Sequence, residues 1–538
     1  MATDVDSLWL LVALASKCES KSMNTITIFF SFLLLLLLSW LLLNIFYWGA
    51  HPAGSAWGKH LLSRGFKSSS TIPGPRGFPV IGSMNLVAGL AHRKIAAAAE
   101  ASRAKRLMAF SLGQTRVIAT CHADVARQIL NSSAFADRPH KESAYRLMFD
   151  RSIGFAPYGL YWTMLRKIAA AHLFCPKQLR DFDRHRRRVG LQLAAAVASR
   201  GRAAGSVRVR DFLKDASLCN MMASVFGRSY NVGADDPDVG ELKDLVDQGY
   251  QLLGEVNWSD HLPFLSDFDF QRIRVRCSRI VPRVKQFVGQ IIADHKKAGG
   301  GERDRDFVDI LLSLHGADRL SDSDMIAVLW EMIFRGTDTV AVLMEWTLAR
   351  LAMHPDIQSK VHEELDKFVG RSRAVTESDL TDLVYLTALV KEVLRLHPPG
   401  PLLSWSRLSI RDSTVDGHHV PAGTTAMVNM WAIMRDPEVW DDPLTFKPER
   451  WLVVGADHIH KDVAAPFGSG RRSCPGKDLG LTTVSYWLAT LLHEFEFRHG
   501  QTLPVNLSEV LKLSCEMAQP LEIKVRSRRD SSTYEDVY

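Results

Sequence analysis

The run Phe467-Gly468-Ser469-Gly470-Arg471-Arg472-Ser473-Cys474-Pro475-Gly476 sets one cysteine in a glycine-rich turn, just before an apolar helical stretch from Leu479 to Phe495. That arrangement suits a thiolate bound to haem iron. Glycine can take positive φ and carries no Cβ, so the backbone can lie flat against a large planar ligand. Pro475 removes a backbone donor where a helix begins. The helix behind it points its positive dipole end at the sulfur, which is expected to lower the thiolate pKa. Thiolate ligation pushes electron density onto iron and favours O–O cleavage. A lone cysteine is usually an inert buried residue. Phe467, Gly470, Arg472, Cys474 and Gly476 together at this spacing ask for more.

A second group lies in a long helical pattern. Ser321 is an N-cap, and the run from Asp322 to Met353 ends before His354-Pro355, which predicts a helix of ~32 residues, roughly 50 Å long. Its middle reads Arg335-Gly336-Thr337-Asp338-Thr339-Val340. A mid-helix threonine can bond back to the carbonyl four residues earlier and Gly336 weakens the helix, so a groove is expected here. Arg335 shares a face with Thr339. Its guanidinium either faces a substrate pocket, anchoring a polar group, or turns aside into a polar network.

Two further patterns would position these groups. Glu392 and Arg395 fall on one helix face in Lys391-Glu392-Val393-Leu394-Arg395, and Phe446-Lys447-Pro448-Glu449-Arg450-Trp451 supplies a second arginine. Trp162 and Arg166 sit one turn apart on a helix predicted over Gly159 to His172, spaced to reach one ligand together.

The decapeptide around Cys474 resembles the haem-binding signature F-x-x-G-x-R-x-C-x-G of the cytochrome P450 monooxygenases at every fixed position. Arg335 to Val340 resembles the family's oxygen-binding motif, [A/G]-G-x-[D/E]-T-[T/S], with Arg335 at the small position and Val340 at the hydroxyl position as departures. The resemblance implies haem b as cofactor with Cys474 as axial ligand, and Thr339 and Asp338 as the pair that holds water or dioxygen and relays protons. It also implies that Trp162, Arg166, Arg407 and Arg472 contact haem propionates. Glu392, Arg395 and Arg450 would form a buried charge network bracing the cysteine loop.

Between Ala91 and about Val463 the pattern is mainly helical, as in His92–Arg106 and Gln178–Ser199. Short β-rich runs interrupt it at Leu107–Leu112, Val117–Cys121, Trp405–Ile410 and Thr424–Asn429. The expected fold is therefore mainly α (α+β), the cytochrome P450 fold in one large domain with small sheets. One transmembrane helix precedes it. Thr25 to Ala50 has no charged residue and exceeds the ~20 residues that cross a bilayer. A cleaved signal is the competing reading, disfavoured because the apolar run exceeds a signal core and no clean small-x-small site follows. Tyr47 and Trp48 would sit in the interfacial belt, and His51, Lys59, Arg64 and Lys67 follow. The expected organisation is 1–24 lumenal, 25–50 anchor, 51–71 tether, 72–525 catalytic domain and 526–538 disordered tail. Ile72-Pro73-Gly74-Pro75-Arg76-Gly77-Phe78-Pro79 is a stiff proline-rich hinge.

The seven cysteines are odd in number and irregularly spaced, which argues against a disulfide framework or a zinc site. A formal charge of +7 favours anionic lipid or an anionic partner, and is too diffuse to suggest nucleic acid.

The resemblance implies an endoplasmic-reticulum enzyme, single-pass with a cytosolic catalytic domain. It would take electrons from NADPH-cytochrome P450 reductase and oxidise a small lipophilic substrate. Arg471, Lys477 and Lys167 could form the reductase docking face. Phe155–Gly159, Phe334–Thr339 and Pro398–Pro401 look closest to the plant microsomal subfamily that includes the plastochron and Kluh-type proteins, linked to organ size, leaf initiation and seed size. Members have been associated with fatty-acid hydroxylation. Two alternatives stay open: a haem-thiolate isomerase or dehydratase of the allene-oxide-synthase type, and a non-catalytic haem-binding protein.

Overall fold

The computed structural model describes residues 25–63, 71–298, 306–453, 465–500 and 505–528. The first helix, α1 (Thr25–Ala50), has apolar side chains all round, with Phe29, Leu34 and Leu42 each more than half exposed. Such a surface needs an apolar solvent. Among the described residues this is the one helix long and apolar enough to cross a membrane. Trp40 meets Phe264 of the body edge-on at 5.4 Å between ring centroids.

The segment expected to be a plain tether is corrected in part. Ser55–Ser63 forms a helix, α2, with Trp57 buried and its Nε1 donating to the Phe110 carbonyl at 3.0 Å. A Cβ on Gly58 would lie 1.8 Å from the Tyr47 carbonyl oxygen. One large apolar side chain and one close backbone approach thus override the local glycine and serine content. Arg64 and Lys67 lie outside the described residues, as do residues 1–24. The proline-rich segment lies along the first strand, β1 (Met108–Leu112), where Ala109 donates its N–H to the Pro73 carbonyl at 2.8 Å.

β1 pairs antiparallel with β2 (Thr115–Thr120), starting at Met108 opposite Ala119. The chain then builds helices: α3 (Leu160–His172), α4 (Asp183–Ala204), α5 (Val209–Phe226), α6 (Pro237–Gly254), α7 (Ile273–Ala298), α8 (Asp322–Met353) and α9 (Val384–Leu396). Two short strands follow, β3 (Arg407–Leu408) and β4 (Thr425–Val428), and complete a sheet of order β1-β2-β4-β3 in which β2 and β4 run parallel. The last long helix, α10 (Lys477–Glu494), lies behind the cysteine loop.

Three boundaries differ from expectation. The helix foreseen over His92–Arg106 ends at Ala101, and Arg103 takes φ 50° beyond it. Gln178–Ser199 is two helices, Pro176–Asp181 and α4, meeting at buried Phe182. Residues 526–528, expected in the tail, are instead part of the body: the strand Glu522–Ser527 pairs with Phe495–His499, and Arg528 bonds both Asp366 oxygens at 2.9 Å. Residues 529–538 lie outside the described residues.

Helix α8 has the foreseen bounds, and the Ser321 hydroxyl accepts the Asp324 N–H at 3.1 Å as its cap. Its second half packs with α4, α9 and α10 in one core, through Trp346, Leu389 and Trp487; its first half packs with α6 and α7 in another, through Trp330, Leu245 and Val284. Helix and loop meet at the site because α8 runs through both cores.

Candidate active site

Cys474 sits at the end of a tight turn in which its N–H donates to the Phe467 carbonyl at 2.9 Å. Gly468 and Gly470 take φ 69° and 68°, and a Cβ on Gly470 would lie 2.3 Å from the Leu130 carbonyl oxygen. This turn therefore requires glycine twice over at Gly470, by conformation and by space. α10 begins at Lys477, three residues past the sulfur. The accessible surface of Cys474 opens onto an internal cavity rather than onto bulk water, so the thiol is touched by open space and yet desolvated. Burial pushes the free thiol up, against the Arg335 and Arg166 charges and the Gly476 N–H, which pull it down. The helix-end effect foreseen from sequence is thus outweighed by burial in the free thiol. A coordinated thiol is deprotonated outright.

The cavity holds about 1640 Å³ of atom-free space including its mouth, and Cys474, Phe467 and Gly476 form one wall. The opposite wall is α8. Arg335, Gly336, Thr339 and Val340 are partly exposed within an otherwise buried stretch, the spacing of one helix face. The Thr339 hydroxyl reaches the Arg335 carbonyl at 3.4 Å. The helix is unbroken here, so the groove expected at Gly336 is corrected: the missing Cβ instead admits Met221 of α5, whose Sδ would lie 2.4 Å from it.

Asp338 is not on the cavity wall. One residue along a helix turns the side chain by about 100°, and Asp338 faces Lys214 of α5, with Nζ 3.6 Å from Oδ1. Burial pushes its carboxyl up, while Lys214 and the Ser514 hydroxyl oppose the shift. Lys214 also reaches the exposed Asp247 carboxylate at 2.9 Å.

Arg472 stacks over the Trp162 ring at 4.2 Å and donates to the Ala136 and Ala156 carbonyls, at 2.9 and 2.7 Å. Arg166 donates to the Ser473 carbonyl at 3.0 Å. Trp162 is fixed by its own Nε1 bond to the Ile153 carbonyl at 2.9 Å. Arg407, on β3, is buried and pulled down to about 9 by burial and by the charges of Arg472 and Arg166. Arg472 Nη1 has no partner at all. Buried guanidinium groups that repel one another, with one donor left empty, describe a site built for an anionic ligand. A flat macrocycle with two carboxylates, lying between the Cys474 loop and α8, fits these residues.

Glu392 and Arg395 are fully buried. Arg450 Nε and Trp451 Nε1 each reach Glu392 at 3.0 Å, and Arg395 also donates to the Met434, Pro443 and Thr445 carbonyls. The network thus ties α9 to the segment ending at Trp451. Residues 454–464, which lead on to the cysteine loop, lie outside the described residues.

Sequence reasoning missed Arg138 and Glu331, both of which line the cavity. Arg138 is buried, donates to the Gly154, Trp405 and Ser406 carbonyls, and is pushed down by burial and by Arg407 and Arg472. Glu331 lies one turn before Arg335, and both its oxygens accept the Gly154 N–H, at 2.9 and 3.1 Å. Its i−4 spacing from Arg335 was the available signal. Arg138 stands in a short connecting segment with no periodicity to mark it.

Comparison with known proteins gives a consistent picture. The family described as Cytochrome P450 matches residues 72–520. The chain is 59% identical to Cytochrome P450 78A9 of Arabidopsis thaliana over 99% of this chain and 100% of the relative. It is also 59% identical to Cytochrome P450 78A3 of Glycine max over 97% and 99%. Flavonoid 3'-monooxygenase of Arabidopsis thaliana is 34% identical over 86% of this chain and 92% of its own length.

Proposed function

The chain belongs to the cytochrome P450 family and is a haem-thiolate monooxygenase, and from that premise we propose that it oxidises a small lipophilic substrate, a fatty acid or related growth-signal precursor. Its product would act in organ growth, leaf initiation or seed size, at the endoplasmic reticulum membrane. The reaction is RH + O2 + NADPH + H+ → ROH + H2O + NADP+. A C–H bond is exchanged for C–O–H, the O–O bond breaks, and two electrons come from NADPH through a reductase.

Haem b, when bound, supplies the redox-active iron that activates dioxygen. The protein's own residues do the rest. Cys474 offers the thiolate, while Arg166, Arg407 and Arg472 offer charge-assisted bonds to the propionates. The Thr339 hydroxyl holds water on the α8 wall, and Asp338 with Lys214 stores a proton one residue away. Met221, Met332, Val340 and Leu343 keep the cavity largely apolar. Lys167, Arg471 and Lys477 are exposed beside the cysteine loop, which supports docking of an acidic reductase face. Trp258, Phe264, Phe268 and Phe270 are about half exposed or more, and the contact of Phe264 with Trp40 of α1 supports a membrane-facing surface there.

The observation that carries this reading is that Cys474 and Thr339 face one cavity beside a surplus of buried arginines. It is tested in microsomes carrying this protein and a plant reductase, fed medium- and long-chain fatty acids with and without NADPH. NADPH-dependent gain of one oxygen supports it. Conversion of a fatty-acid hydroperoxide without NADPH would favour the isomerase class instead.

A further inference from the structure

We propose that a second cavity, between the short helix Glu142–Arg146 and the segment from Ser259 to Arg274, binds the zwitterionic headgroup of a bilayer phospholipid. Arg146 and Arg274 would hold its phosphate, and Asp260 with the Tyr145 ring its ammonium. The inference rests on the membrane-facing reading of the aromatic surface above and names what is met there.

This cavity holds about 950 Å³ of atom-free space including its mouth and shares no lining residue with the cavity at Cys474. Glu142, Arg146, Asp260 and Arg274 line it. Arg146 and Arg274 reach Glu142 through Nε, at 3.2 and 2.5 Å, and Arg274 also donates to the Ser266 carbonyl. Asp260 Oδ1 accepts the Glu142 N–H at 3.1 Å and Asn257 Nδ2 at 3.2 Å. Among the described residues neither Nη of Arg146 has a partner, nor has the second oxygen of Asp260. Against burial, which would raise it, Arg274 and Arg146 hold the Glu142 carboxyl below its usual value. Burial pushes the Asp260 carboxyl up, with the Glu142 N–H and Lys141 opposing. A cation at its open oxygen would relieve that shift.

Two guanidinium groups stand here against two carboxylates. A lone anion or a lone cation therefore meets repulsion as well as attraction, whereas a ligand carrying both charges satisfies both ends. The face of Tyr145, which lies 4.3 Å from the His140 ring, also suits a quaternary ammonium.

Placement points to a lipid. The Ser259 hydroxyl lies between the Leu265 and Phe268 carbonyls, at 3.2 and 3.4 Å, which ties the cavity to the stretch that exposes Phe264, Phe268 and Phe270. Phe264 meets Trp40 of α1, and Trp40 precedes Tyr47 by seven residues, or about 10 Å along the helix. The aromatic side chains thus reach the acyl region, and the charged cavity on the same segment falls at headgroup level.

The test is calorimetric titration of the full-length, haem-loaded protein in a non-ionic detergent with dihexanoylphosphatidylcholine below its micellar concentration. Dihexanoylphosphatidylglycerol and free phosphocholine are the comparison ligands. The choline lipid should bind saturably and about 10-fold or more tightly than either. Arg146→Gln should weaken it about 10-fold with haem content unchanged. Asp260→Asn keeps the acceptor for the Glu142 N–H but leaves the cavity net positive, so it should reverse the order and favour the glycerol lipid. A merely structural loss would weaken both lipids alike. If Asp260→Asn fails to load haem, the wild-type ratio and Arg146→Gln decide. Equal affinity for the two lipids in the wild type, or an unchanged order in Asp260→Asn, would overturn the site. Phosphocholine binding as tightly as the lipid would make the ligand a soluble solute and overturn the assignment to the membrane. The aromatic surface is read separately in nanodiscs, as the tryptophan quenching by acyl-brominated lipid that is lost in Trp258→Phe. Such quenching without a headgroup preference overturns the headgroup site alone, and its absence overturns the membrane-facing reading.

Discussion

Arg395 grips both oxygens of Glu392, at 2.9 and 2.8 Å, with neither side chain exposed. Arg450, Trp451 Nε1 and the Lys447 N–H share the same carboxylate. Removing its charge strands two guanidinium groups. Glu392→Gln is expected to cost about 3–5 kcal/mol, measured as a lower thermal midpoint with reduced haem content. An unchanged midpoint would mean that the network is dispensable.

Two glycines should respond in opposite directions. Gly470 has φ 68° and a carbonyl oxygen 2.3 Å from where a Cβ would stand, so Gly470→Ala should destabilise by more than about 1 kcal/mol and weaken haem retention. Gly240 is exposed inside α6 with nothing within 4 Å. Gly240→Ala should stabilise by about 0.5–1 kcal/mol. Chemical unfolding of both variants reads the contrast.

Acid should unfold the protein partly through buried histidines. Burial, with Lys141 nearby, holds His261 down at about 4 from its ordinary 6.5, and the ring bonds the Thr115 hydroxyl at 2.9 Å. Burial, with Arg528 nearby, likewise holds His362 at about 4. Between pH 6.5 and 4 the unfolded chain binds protons that the folded chain does not, so stability falls as pH falls through that window. His261→Gln should flatten the fall, followed by near-ultraviolet circular dichroism at stepped pH. A slope identical to wild type would discount His261.

Thr339 and Asp338 should separate on substitution. Thr339 faces the cavity, so Thr339→Ala should lower product formed per NADPH consumed by roughly tenfold or more, with hydrogen peroxide released in its place. Lys214 holds Asp338 at 3.6 Å outside the cavity, so Asp338→Asn should slow NADPH oxidation itself and enlarge its solvent isotope effect. Matching phenotypes for the two variants would contradict the division of roles.

Much of this site was legible in the sequence because its signals are local. The glycine spacing around Cys474 and the Ser321 cap with its 32-residue helix are both set by neighbouring residues. What was not legible depends on contacts distant along the chain. Trp57 turns an apparent tether into a packed helix by reaching Phe110, and Met221 takes the space that Gly336 leaves. Arg138 joins the cavity through carbonyls of Gly154 and Trp405. Asp338 and Thr339 are adjacent in sequence, yet only the packing of α5 on α8 decides which one meets the cavity.

The most direct measurement is mass spectrometry of products formed under isotope-labelled dioxygen, with reductase and NADPH, by the wild-type protein and by Cys474→Ala. The wild type should place one labelled oxygen atom in the product, and Cys474→Ala should place none. Labelled product from Cys474→Ala, or unlabelled product formed without NADPH, would contradict a haem-thiolate monooxygenase centred on Cys474.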